Sequence, residues 1–121
     1  MSSTILIVDD EVSLARLLKL TLELSGQYRC LTANSGQEVL GILKANRPDL
    51  VLMDLMMPGM SGLEALKCIM ADKPSPPVIM MTAIESKEKL DKLMAAGASG
   101  YLIKPIDFEE LKAKLESLLS V

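Results

Sequence analysis

A few residues stand out by type and position as able to make or break bonds together: the acidic run Asp9-Asp10-Glu11, Asp54, Thr82 and Lys104. If the fold gathers the aspartates, they repel one another and their pKa values rise unless a cation sits among them. A hard cation with oxygen ligands suits such a cluster. Mg2+ (or Mn2+) takes a few carboxylates, a backbone carbonyl, waters and phosphate oxygens. Zinc does not fit, because the chain has no histidine and no cysteine pair at metal-type spacing. Lys104 would add a point charge and Thr82 a hydroxyl donor. A cation, a lysine and a hydroxyl around a carboxylate are the parts phosphoryl transfer uses, since that reaction needs stabilised equatorial oxygens and a placed nucleophile. The carboxylate itself can be the nucleophile and become an aspartyl phosphate. The absence of histidine also excludes a histidine general base and a phosphohistidine on this chain.

These residues matter only if the chain brings them together. Five short apolar segments recur at intervals of about 22 to 28 residues: Ile5-Val8, Tyr28-Ala33, Leu50-Met53, Val78-Met81 and Tyr101-Ile103. Each is too short for a helix and most are continuously apolar, as in strands buried on both faces. Each gap fits one helix and two short loops. Ser35-Gly36-Gln37-Glu38 and Ser61-Gly62-Leu63-Glu64 read as capping boxes, and Asp107 reads as the cap of a last helix carrying Phe108, Leu111, Leu115 and Leu118. The first helix is predicted over about Val12 to Leu24, stopping near Gly26, and the fourth over about Lys87 to Ala96, stopping at Gly97. Strand and helix alternate five times, which predicts an α/β fold with a parallel sheet and helices on both faces. In such a sheet the working site lies beyond the carboxyl ends of the strands. Asp9, Asp10, Asp54, Thr82 and Lys104 all follow predicted strands, so all fall on that edge.

The bulk properties agree. The chain has 121 residues, the size of one domain, and half are hydrophobic, while aromatics are only 2%. A single domain over residues 1–121 is expected, with its core at about 4–119. The net charge of −3 argues against direct nucleic-acid binding. No apolar run is long enough to span a membrane, and no signal segment opens the chain, so a cytoplasmic location is expected. Cys30 and Cys68 are expected to be reduced, buried thiols.

Four blocks now carry a resemblance. Val8-Asp9-Asp10-Glu11, Asp54-Leu55-Met56-Met57-Pro58-Gly59-Met60-Ser61-Gly62, Val78-Ile79-Met80-Met81-Thr82-Ala83 and Gly100-Tyr101-Leu102-Ile103-Lys104-Pro105 resemble, in order and interval, the receiver domains of two-component response regulators. The resemblance implies a flavodoxin-like sheet of order 2-1-3-4-5. It implies Asp54 as phospho-acceptor and metal ligand, Asp10 as a direct ligand, Asp9 as a ligand through water, and the Met56 carbonyl as a further ligand. Lys104, the Thr82 hydroxyl and the Ala83 backbone N–H would meet the phosphoryl oxygens, and Tyr101 would be an aromatic switch. The Lys104-Pro105 bond would be cis. A sensor histidine kinase or histidine phosphotransfer protein would be the donor. A downstream protein would dock on the fourth helix, fifth strand and fifth helix. The domain would catalyse only its own phosphorylation and dephosphorylation.

Other readings of the same residues exist. Asp9-Asp10-Glu11 could cap the first helix, Thr82 could be a cap or a β-branched strand residue, Tyr101 could be core, and the basic fourth helix could be a solvated face. Met53, Met56, Met57 and Met60 could suggest Cu(I), but methionine is more often a gap-filler. A haloacid-dehalogenase-type phosphatase would share the aspartate nucleophile, yet it wants a second aspartate where this chain has Met56. A degenerate receiver would act as a scaffold without phosphorylation. One departure from the family pattern is informative: Met56 and Ile84, two residues after the acceptor and after Thr82, are apolar where a polar side chain could orient an attacking water.

Overall fold

The computed structural model describes residues 2–119. The elements run β1 (Ser3–Val8), α1 (Val12–Leu24), β2 (Tyr28–Ala33), α2 (Gly36–Asn46), β3 (Leu50–Asp54), α3 (Gly62–Ala71), β4 (Val78–Thr82), α4 (Lys87–Ala95), β5 (Gly100–Ile103) and α5 (Phe108–Leu119). The strands form one parallel sheet of order β2-β1-β3-β4-β5. Every expected strand and helix is present, with ends displaced by at most two residues.

The continuous apolar runs have a direct cause. In β1, β3 and β4, successive side chains enter opposite layers. Leu6, Val8, Val51, Met53, Val78 and Met80 face one layer with Val39 of α2, Leu66 and Ile69 of α3 and Leu93 of α4. Ile5, Ile7, Leu50, Leu52, Ile79 and Met81 face the other with Leu18 and Leu22 of α1 and Leu111 and Leu115 of α5. Both faces of the central strands are therefore covered, which is what parallel sheets require. β5 is an edge strand, and there only Leu102 is buried.

Local signals mostly form as expected. Ser61 and Glu64 make the reciprocal capping box, and Asp107 Oδ1 accepts from the Glu109 and Glu110 amides. Gly26 and Gly97, at positive φ, follow the ends of α1 and α4. The box predicted at Ser35 does not form. Ser35 makes no side-chain cap bond, and the Glu38 side chain reaches past the Ser35 amide to accept from the Asn34 amide at 3.2 Å. Nor does the acidic run cap α1: Glu11 holds the N-cap position without a side-chain bond. Cys30 is buried and Cys68 only half-buried, both as free thiols. The Lys104-Pro105 bond is cis, as is Lys73-Pro74. Among the described residues, no helix is long and apolar enough to cross a membrane. Met1, Ser120 and Val121, the ends of the expected domain, lie outside the described residues.

Candidate functional site at the carboxyl edge of the sheet

The order β2-β1-β3 means that the chain winds outward in both directions from the β1–β3 pair. The ends of these two strands diverge into loops that leave on opposite faces, and a crevice opens between them. Asp9 follows β1 and Asp54 ends β3, so both carboxylates meet at this crevice. Thr82 ends β4 beside them, and Lys104 follows β5. The Lys104 amide donates to the Thr82 carbonyl at 2.8 Å, and the Leu55 amide to the Met81 carbonyl at 2.9 Å. Sheet pairing thus continues past the strand ends and holds the ends of β3, β4 and β5 in register.

Asp9 is fully buried, Asp54 is 5% exposed and Thr82 1%. Both Asp9 oxygens are engaged: Oδ1 accepts from the Glu11 amide at 2.9 Å and Oδ2 from Lys104 Nζ at 3.2 Å. Lys104 Nζ also lies 3.2 Å from Asp54 Oδ1. A single ammonium therefore bridges two buried carboxylates that belong to neighbouring strands. Thr82 Oγ1 accepts from the Ile84 amide at 3.0 Å.

One ammonium does not balance this much negative charge. Burial and the neighbouring Asp9 charge raise the Asp54 carboxyl above its ordinary value of 3.8, against the lowering effect of Lys104, and Asp10 adds to the rise. Burial works against the Lys104 charge, yet Asp54 and Asp9 together hold its pKa above 10.5. One oxygen from each of Asp9, Asp10 and Asp54 lies within 4.8 Å of the others. Oxygens on opposite sides of a Mg2+ ion are about 4.2 Å apart. The group therefore fits a single hard cation, given slight closure or one ligand acting through water. Asp10 is exposed and hence open to such an ion, whereas Asp9 already has both oxygens occupied.

The sequence matches the response regulator receiver domain family over residues 5–116. The chain belongs to the response-regulator receiver family. This receiver is 37% identical over 121 residues to the alkaline phosphatase synthesis transcriptional regulatory protein PhoP of Bacillus subtilis, covering 98% of this chain and 49% of that one. It is 42% identical over 116 residues to the transcriptional regulatory protein ZraR of Escherichia coli, covering 96% of this chain and 26% of that one. The chain thus spans about half the length of PhoP and a quarter of ZraR. Among solved structures, the chemotaxis protein CheY4 of Vibrio cholerae superposes with a TM-score of 0.89 at 33% identity, covering 98% of this chain and all of that one. A two-component response regulator from Clostridium difficile does so with a TM-score of 0.91 at 28% identity, over 98% and 96% of the two chains.

Not every expected residue of this receiver joins the cluster. Tyr101 stands on the edge strand with 36% exposure, outside the core. Met56 is 65% exposed, and Ile84 is half-buried. On α4, Lys87 pairs with Asp91 and Lys92 with Glu88 across one turn, all largely exposed. Sequence reasoning missed two features. The first is the Lys104 bridge to Asp9, which depends on the lateral order of β1, β3 and β5. The second is Gly62. A Cβ there would lie 2.3 Å from the Asp54 carbonyl oxygen and 2.7 Å from Leu55 Cα. The Gly62 amide donates to the Leu55 carbonyl at 2.8 Å, closing the loop that follows the acid. A glycine directly after the helix-capping Ser61 was the available signal.

Proposed function

We propose that this chain is a phosphorylation-dependent switch in which Asp54 accepts a phosphoryl group from a phosphohistidine on a partner, a sensor histidine kinase or a histidine phosphotransfer protein. The observation that carries this reading is the Lys104 ammonium held 3.2 Å from oxygens of both Asp54 and Asp9 at the mouth of the β1–β3 crevice. An Asp54 oxygen attacks phosphorus, the N–P bond breaks, and its electron pair stays on the imidazole nitrogen. The product is an acyl phosphate on Asp54. Lys104 is already poised to meet a phosphoryl oxygen there. The Thr82 hydroxyl and the Ala83 N–H are the donors expected to turn to the others.

Asp10 and Asp54 would hold Mg2+ (or Mn2+) directly, Asp9 through water, and Met56 through its carbonyl. The bound ion supplies charge neutralisation that lets an anionic donor approach an anionic nucleophile. When Thr82 moves toward the new group, Tyr101 would turn inward from its exposed place on β5, and α4, β5 and α5 would form the surface a downstream protein reads. The phosphoryl group shifts the population of an active conformation by contacts made only in that state. The unit at about 4–119 works as one cytoplasmic receiver domain through protein contact and not through nucleic acid. It has no substrate to turn over beyond its own acyl phosphate.

Incubation with acetyl phosphate, with and without Mg2+, tests this by intact mass. A Mg2+-dependent phosphoryl adduct is expected on the wild type and none on Asp54→Asn. An adduct that survives the substitution would place the acceptor elsewhere.

A further inference from the structure

We propose that Met56 is an oxidation-sensitive modification site that sets how long the phosphoryl group remains on Asp54. The inference rests on the acceptor role proposed above. Met53, Met80 and Met81 are fully buried and Met57 is 8% exposed, whereas Met56 is 65% and Met94 43% exposed. Met60 and Met70 are half-buried. Thioether oxidation follows access to the sulfur. An oxidant in solution therefore meets Met56 and Met94 first.

Of these two, only Met56 is close in the chain to a member of the acid cluster. It stands two residues after Asp54, next to Met57, which packs into the core. The loop around it is pinned at both ends. The Leu55 amide donates to the Met81 carbonyl at 2.9 Å, and the Gly62 amide to the Leu55 carbonyl at 2.8 Å. The loop that carries Met56 is therefore tied down at Leu55 and Gly62 by backbone bonds that do not involve the Met56 side chain.

Oxidation changes what that side chain offers to water. A thioether is a weak hydrogen-bond acceptor. Hydrolysis of the acyl phosphate needs a water held in line with the scissile P–O bond, and Met56 and Ile84 give it no good partner. Hydrogen peroxide transfers one oxygen atom to Met56 Sδ: its O–O bond breaks, the sulfur is oxidised by two electrons, and water leaves. The sulfoxide that results is polar and a strong acceptor at the same position. It orders a water beside the phosphoryl group and shortens the signal. Enzymatic reduction of the sulfoxide resets the thioether.

The full chain is treated with hydrogen peroxide, then with dithiothreitol to clear reversible oxidation of Cys30 and Cys68. Peptide mass mapping locates the added oxygen. Acetyl phosphate and Mg2+ load the acceptor, the donor is removed, and loss of the phosphoryl mass is followed. Oxygen is expected on Met56 and Met94 ahead of the buried methionines. The phosphoryl half-life should fall roughly 2- to 10-fold, the rate equivalent of one ordinary hydrogen bond. Methionine sulfoxide reductases should restore it. In Met56→Leu, where Met94 remains oxidisable, the half-life should not change on peroxide treatment. A Met56 sulfoxide with unchanged decay, or equal shortening in Met56→Leu, overturns the inference and leaves Asp54 as acceptor. Failure of the untreated protein to take up any phosphoryl group sinks the acceptor reading, and this inference with it.

Discussion

At the carboxyl end of the sheet, Asp9 and Asp54 are almost wholly removed from water and share one lysine. At the amino end the charges stay wet. Lys44, Arg47, Asp49, Asp72 and Lys73 line an open groove of about 430 Å3 between the ends of α2 and α3, and each is exposed. Asp49 serves the fold there, accepting from the Thr4 amide at 2.7 Å. The amino end thus keeps solvation and uses its side chains to tie off backbone. The carboxyl end gives up solvation, and the repulsion that follows is a state a cation can relieve. Substitutions at the two ends should therefore differ in kind: at the carboxyl end phosphoryl chemistry should change, together with stability where the buried groups are touched, and at the amino end stability alone.

The largest effect is expected at Gly62. The atoms a side chain would meet are backbone atoms of Asp54 and Leu55, which cannot swing aside as a flexible side chain would. Gly62→Ala should destabilise by about 3 kcal/mol and displace Asp54, the proposed acceptor, so that uptake from acetyl phosphate falls as well. Gly41, in α2, is the contrast, because a Cβ added there would meet nothing within 4 Å. Gly41→Ala should stabilise by about 1 kcal/mol through helix propensity and leave uptake unchanged. Urea midpoints and adduct mass report both, and an unperturbed Gly62→Ala protein would remove the link between loop closure and acceptor position.

Lys104→Met should come next. It strips two buried carboxylates of their shared partner, at a loss of about 2–3 kcal/mol; full enclosure would make the loss larger, but the Lys104 side chain keeps 20% exposure. Asp54→Asn in the same background should recover most of it. In the wild type, the raised Asp54 pKa means that the folded chain binds this proton more tightly than the unfolded chain does. The stabilisation from that proton is complete below about 3.8 and is lost as pH rises through the folded value. Asp54→Asn should therefore match the wild type in acid and exceed it in stability at neutral pH. A constant difference across that range would mean that Asp54 is not held above its ordinary value.

A smaller, purely kinetic effect is expected at Met56. An amide at this exposed position can hydrogen-bond a water that the thioether holds only weakly, so Met56→Asn should lose its phosphoryl group roughly 2- to 10-fold faster than the wild type. Equal decay would mean that the apolar rim does not limit water attack.

What could be read from sequence, and what could not, follows the same physical division. The strands were legible because burial on both faces leaves Ile5-Val8, Leu50-Met53 and Val78-Met81 no polar position. The placement of Asp9, Asp54, Thr82 and Lys104 on one edge followed from their succeeding those runs. The lateral order of strands left no mark in periodicity and came with the family resemblance, and the Lys104 bridge to Asp9 depends on that order. Ser35-Glu38 carries a local signature, yet its glutamate found the Asn34 amide instead. Tyr101 could be read as core until β5 was known to be an edge strand, where alternate side chains face water. Gly62 carried no signal of its own beyond following a cap, because its requirement comes from the path of a loop.

The smallest effect belongs to the amino end and tests whether that end is indifferent to function. Arg47 closes α2 at φ 44° and ψ 65°, the only non-glycine with positive φ among the described residues. A side chain in this left-handed region is disfavoured by about 1–2 kcal/mol because Cβ crowds the following carbonyl, and helices commonly end on glycine there for that reason. Glycine relieves the crowding but has more freedom to lose on folding, so Arg47→Gly should stabilise by about 1 kcal/mol or slightly less. Arg47 is exposed in the groove and its amide donates to the Leu43 carbonyl at 3.1 Å, a bond that glycine keeps. Nothing in this change reaches the crevice, so phosphoryl uptake and half-life should match the wild type. A variant that gained stability but lost uptake would show that the two ends of the sheet are coupled, and that Arg47 is retained in a strained conformation for a reason other than the fold.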